Sequence, residues 1–282
     1  MRWRHLARNR LSFVALWVIF AITVASVLAP WLTPYDPDRP DADRTLHSVS
    51  LLHPLGTDVY GRDQLSRIIH AGRIDLLVAL SATAIALTIG SALGAFAGYR
   101  GGWADHLVMR SVDAVMAFPA FILAMGITAA LGNSTANVVA AIAITHIPIY
   151  TRLLRGEMLK VRETEYADAA RMVGDRPHQI VLYHLLPNCV PPLVVQATLA
   201  MGFAILTVAA LSFIGLGIEP PQSEWGQMTA EGAGYVVSGE WWLVLFPGIA
   251  IMLTVLAFNL VGDALRDVLD PRLRGAGSSP GA

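Results

Sequence analysis

Six long apolar stretches alternate with polar ones along this 282-residue chain. They cover residues 11–29, 76–99, 112–131, 136–150, 191–216 and 242–261. A helix needs about 20 mostly apolar residues to cross a bilayer, so the pattern predicts six transmembrane helices in an all-α integral membrane protein. The first, second and fifth stretches carry no charge. The fourth is short, holds His146 and Pro148, and is expected to run on to Leu154.

The polar stretches differ in kind. Residues 34–43 alternate Pro34, Pro37 and Pro40 with Asp36, Asp38, Asp41 and Asp43, the signature of an extended acidic linker. Residues 63–75 place Leu65, Ile68, Ile69 and Gly72 at helical spacing among Arg62, Arg67 and Arg73. That predicts a short amphipathic helix at the membrane surface; a plain lead-in to the second span fits equally. Residues 151–189 are much longer than a turn requires. Good helix formers fill 155–173, and Gly174 stands where a helix C′ glycine belongs. Pro177 suits the first turn of a second helix over 178–186, which Pro187 is expected to stop. A structured hairpin of this length outside the lipid suggests something that grips it; a solvated connector is the alternative.

Composition agrees with a membrane protein. Hydrophobic residues make up 55% and charged residues 15%, against about 25% charged in soluble domains. Mean hydropathy is +0.54. A net charge of −1 excludes a globally basic nucleic-acid binder. The single cysteine, Cys189, makes no intrachain disulfide and no metal constellation. The basic start MRWRHLARNR resembles a signal peptide's, but its apolar run exceeds the roughly 7–15 residues of a secretory core, and more spans follow.

Arg and Lys set orientation. Segments 1–10, 100–111, 151–189 and the C-terminus carry fifteen of them, and the opposite side carries five, all within 30–75. Both termini and the 151–189 loop are therefore expected on the cytoplasmic side. Four units follow: 1–30, the N-terminal segment and first span; 31–75, the extracytoplasmic linker with its interfacial helix; 76–263, a core of five spans; and 264–282, the tail.

Several chemistries lose support. No Asp or Glu lies in mid-span, which speaks against an ion-coupled secondary transporter, because buried charge is costly and is kept for function. There is no GxxxxGK[ST], HExxH or GxSxG, so neither a P-loop nor a hydrolytic or metal centre is expected, and an intramembrane enzyme finds no nucleophile–base pair. Gly90, Gly94 and Gly98 share one helix face and predict close helix packing rather than a substrate path.

The hairpin resembles a known family. Asp168-Ala169-Ala170, three residues, Gly174, then Leu186-Pro187 is similar to the EAA loop of permease subunits in bacterial ABC importers. Asp168 stands for the motif's Glu and His184 for its Ile; both departures suit the peptide-transport branch, where Thr164 replaces a usual Arg. His53-Pro54-Leu55-Gly56-Thr57-Asp58-Val59-Tyr60-Gly61-Arg62-Asp63 is similar to the HPLGTDxxGRD signature of the dipeptide/oligopeptide/nickel permease family, C-type subunit. Residues 211–217 with Pro220-Pro221 and Trp225-Gly226, and residues 259–271, resemble two further blocks of that family.

The resemblance implies a type I ABC importer permease fold in the bacterial inner membrane, surrounded by membrane lipid. It implies a coupling helix at Glu165, Asp168, Ala169, Ala170, Arg171 and Gly174, with no catalytic residue. It also implies a paralogous permease, two ABC ATPase subunits holding ATP and Mg, and an extracytoplasmic solute-binding protein. The cargo implied is di- or oligopeptides, with nickel chelates or another small solute as the alternative; the residues that would bind it stay unassigned.

Overall fold

The computed structural model describes residues 10–269. Nine helices of eight residues or more organise them: α1 (Arg10–Val27), α2 (Gln64–Arg100), α3 (Gly102–Met116), α4 (Ala120–Leu131), α5 (Thr135–Val161), α6 (Glu165–Val173), α7 (Leu186–Phe213), α8 (Trp225–Ala233) and α9 (Trp242–Leu269). Short acceptors start several of them, satisfying otherwise orphaned N–H groups. The Asp63 carboxylate accepts from Ser66 N and so starts α2. Ser134 accepts from Asn137 N at α5. Glu224 accepts from Gly226 N and Gln227 N at α8.

Among the described residues, five helices are long and apolar enough to cross a membrane: α1, α2, α5, the helical run from Pro177 through α7, and α9. The expected span over 112–131 is instead two helices, α3 and α4, bent by 84°. The break falls at Ala117-Phe118-Pro119, because a proline disfavours helical geometry in the residue before it. Six crossings result if this bent pair crosses as one.

Other boundaries move as well. Residues 63–75 do not form a separate surface helix; they are the first turns of the continuous α2, and Arg67 and Asp75 are buried rather than facing headgroups. The fourth span runs past Leu154 to Val161. The single helix expected over 155–173 breaks at residues 162–164. Pro187 does not stop the next helix. A π-helical turn over Ile180–Leu185 shifts the register, and Pro187 falls in the first turn of α7, where its missing N–H has no partner to lose.

The closest seam joins α2 to α5. A Cβ added at Gly90 would lie 2.6 Å from Tyr150 Cβ; one at Gly94, 2.5 Å from Thr151 O; one at Gly98, 2.8 Å from Met158 Cβ. Only glycine allows the two backbones this approach. Val78, Ile142, Ile205 and Leu211 then join α2, α5 and α7 in one apolar core with Trp225 of α8. Ala15 packs α1 onto Ala257 and Val261 of α9.

The loops collect at two ends. At one end lie residues 41–63, 132–134 and 215–243, tied by Asn133 Nδ2 to Gly215 O at 2.8 Å and Trp242 Nε1 to Thr57 O at 3.2 Å. A buried ionic lattice holds this cap. Asp58 accepts from Arg62 and Arg67, each at 2.6 Å, and both arginines reach Glu231 of α8, at 3.2 and 3.0 Å. His53 Nδ1 pairs with Asp63 at 2.8 Å. A buried charge left unpaired costs several kcal/mol, so the lattice fixes residues 53–67 and α8 as one unit. The other end carries residues 162–185. There a cleft is lined by Glu157, Lys160, Pro191 and, from α9, Arg266 and Leu269. Arg2, Arg4, Arg8, Arg272 and Arg274, which weighed in the charge count, lie outside the described residues, as does the tail beyond Leu269.

Candidate docking hairpin

The hairpin at the second end is built from α6, the turn at Gly174–Arg176 and the π-helical segment. α6 begins after Thr164, whose extended backbone makes the turn while its hydroxyl donates to Val161 O at 2.6 Å. Glu165 and Asp168 fall in the first turn and Arg171 in the last, each favourable to the helix dipole. Gly174 closes the helix with φ +91°, and Asp175 N donates to Ala170 O at 3.2 Å, the Schellman pattern.

The helix has two faces. Ala167 and Ala170 turn inward and pack with Met158, Ile180 and Leu185. Ala170 is only 7% exposed. Its small size therefore serves the chain's own packing, whereas Ala169 is exposed and leaves an outer surface shallow. Glu165, Asp168 and Arg171 are also on the outside.

Met172 and Val173 complete the outer tip, 89% and 83% exposed. Sequence reasoning passed over them. Their signal was present: two apolar residues directly before the closing glycine of an otherwise polar helix, with no core for them to join.

Polar contacts tie the hairpin to the spans. Arg171 donates to Asp168 at 2.6 Å and to Arg162 O at 2.8 Å. Arg162 in turn donates to Gly98 O at 2.9 Å, at the end of α2. On the far side, His184 Nε2 meets Asp175 Oδ2 at 2.9 Å. Asp105 and Asp113 of α3 pair with Arg155 and Arg152 of α5, bracing the neighbouring helix as well. The hairpin is thus a short lever fastened to α2 and α5 and bare at its tip. Among the described residues, no group of three or more His, Cys, Asp or Glu side chains is placed to hold a metal.

Gly174→Ala is expected to loosen this lever. Nothing lies within 4 Å of an added Cβ there, so the cost is the left-handed backbone alone, about 1 kcal/mol. Amide exchange over α6 should quicken several-fold while that of α5 is unchanged; equal protection in both would show that the turn tolerates a side chain.

Residues 90–275 match the family model described as binding-protein-dependent transport system inner membrane component. The chain belongs to that family. Residues 1–54 of this permease also match the N-terminal transmembrane domain of oligopeptide transport permease C. It is 42% identical over 271 residues to the dipeptide transport system permease protein DppC of Alkalihalophilus pseudofirmus, covering 96% of this chain and 89% of the relative. Against the probable D,D-dipeptide transport system permease protein DdpC of Escherichia coli K12, identity is 44% over 258 residues, 92% and 86% of the two chains. The glutathione transport system permease protein GsiD of E. coli O6:K15:H31 is 40% identical over 274 residues, 97% and 90%. The hairpin and the glycine seam lie within the stretch that the family model covers, and the cap residues 53–63 straddle the end of the N-terminal one.

Proposed function

We propose that this permease is one of two membrane subunits of an ATP-driven importer of di- and oligopeptides. In this reading the hairpin end faces the cytoplasm, where two ATPase subunits carry ATP and Mg. The cap end faces outward, toward a solute-binding protein. A paralogous permease completes the path.

The observation that carries the reading is the anchored hairpin with its bare apolar tip. Met172 and Val173 are a knob for a groove on a partner, and Arg171, Arg162 and Gly98 connect that knob to α2. ATP binding to a partner biases two states of the permease only if the partner's motion reaches the spans; a hydrogen-bonded lever supplies that path. Glu165, Asp168, Ala169 and Arg171 then rim the contact, while Ala170 and Gly174 hold its shape. Peptide cargo is favoured because relatives named for dipeptides and for glutathione align over almost the whole chain. No observation in the fold favours a nickel chelate.

The test is reconstitution in liposomes with the paralogous permease, two ATPases and the binding protein. ATP-dependent accumulation of a labelled di- or tripeptide is the expected result. Accumulation that follows an imposed ion gradient without ATP would overturn the reading.

A further inference from the structure

Asp75 of α2 and Glu224, which caps α8, meet in the cap from positions 149 residues apart. Both are fully buried, 0% exposed. Asp75 bonds the backbone of Trp225, the residue that follows Glu224, so the two carboxyl groups are neighbours. Glu224 uses both oxygens on α8, accepting from Gly226 N and Gln227 N at 2.7 Å each. Asp75 Oδ2 accepts from Trp225 N at 3.2 Å, while its Oδ1 finds no protein donor. Trp225 Nε1 donates to Ile68 O at 3.0 Å, about two turns before Asp75.

No cation offsets the pair among the described residues. Arg67, whose Nε reaches Ser223 beside Glu224, turns its Nη1 to Asp58 and Glu231, and its Nη2 bonds to neither carboxyl of the pair. Two buried carboxylates in contact, without a cation, cannot both stay ionised. Burial alone already pushes the Glu224 carboxyl above the usual carboxylate range.

We propose that Asp75 and Glu224 share one proton and act as a latch that holds α8 against α2. The latch bears on a groove of about 700 Å³ between α4, α7, α8 and α9, because Gly226 and Thr229 of α8 form part of its wall beside Phe121 and Asn259. Opening the latch frees that wall to move. Only this consequence rests on the transport reading; the latch itself does not.

The sign follows from linkage. The closed latch holds its one proton more tightly than separated carboxyls do, so closure is favoured most near pH 4, the ordinary carboxylate range; below it the separated pair takes up a second proton and opening gains. From there upward an opening that releases one proton becomes about tenfold more populated per pH unit, until the closed pair itself ionises.

Amide exchange on the assembled transporter in nanodiscs, between pH 5 and 9, tests this without transport. Once the intrinsic rise of exchange with pH is divided out, protection of α8 should still fall by about tenfold per unit over part of the range, while the mid-helix amides of α2 hold. Asp75→Asn can still accept from Trp225 N and offers Glu224 an amide N–H where the shared proton stood, so an ionised Glu224 closes the latch without a proton and α8 protection should stay level. Level protection in the unaltered protein would overturn the proposal. So would an Asp75→Asn variant that still loses protection with rising pH. Exchange that fits the latch in a chain that imports no peptide would refute the transport reading alone.

Discussion

Met172→Asp with Val173→Asp is expected to abolish coupling while leaving the permease folded and inserted. Both side chains are more than four-fifths exposed, so nothing in this chain's packing is disturbed. Burying two such side chains in a partner's groove contributes roughly 1.5–3 kcal/mol each. Losing both weakens docking by at least about a hundredfold, since 1.4 kcal/mol is tenfold, and two carboxylates placed in an apolar groove add a further penalty. ATPase subunits should no longer copurify, and peptide-stimulated ATP hydrolysis should fall to the basal rate. Unchanged copurification and uptake would remove the tip from the interface. Ala170→Arg would be a poorer probe, because Ala170 packs on the chain's own core and its replacement lifts the whole hairpin.

Gly94→Leu is expected to be the most damaging single change in the spans. A Cβ alone would stand 2.5 Å from Thr151 O and 3.0 Å from Arg155 N, both backbone atoms that cannot rotate away. α5 must shift, and the rest of the leucine has no room. Overpacking costs 1–3 kcal/mol even where side chains can adapt, so about 3 kcal/mol or more is expected here. Thermal unfolding of the purified protein should show it, with Gly126→Leu as the comparison, since nothing lies within 4 Å of a Cβ there. Equal midpoints for the two variants would mean that the seam is looser than its geometry.

The two cases show what the chain reveals locally. The i, i+4, i+8 glycines of α2 announce a close approach because the helix period puts them on one face. Gly174 announces its own turn, because only a residue without Cβ adopts φ +91° at no cost. Pro119 also marked the bend between α3 and α4, a signal outweighed by the apolar run around it.

Other features could not be seen this way. Alanine is at home on either face of a short helix, so α6 did not reveal that Ala167 and Ala170 turn inward. Pro187 reads as a stop in any α-helical register; only the π-turn before it makes it a start. In the sequence nothing pairs Asp75 and Arg67, near the start of one span, with Glu224 and Glu231, in the acidic stretch before another. What unites them is the return of α8 to the start of α2, a contact made across some 150 residues of chain.

One helix reaches both regions where this protein's polar contacts concentrate. With 37 residues, α2 is about 55 Å long, well beyond a hydrocarbon core of about 30 Å. Its first turns hold Arg67 and Asp75 in the cap, and its last carries the Gly98 carbonyl that Arg162 grips. It contains no proline, and Gly90, Gly94 and Gly98 are pressed against α5, so it behaves as a drive shaft rather than a chain of links. A shaft transmits in both directions. Whatever free energy an event at the hairpin imposes on the cap, the same event at the cap must impose on the hairpin. A protein clasping the cap end would therefore reset, by an equal factor, the affinity of a partner at the hairpin that it never touches.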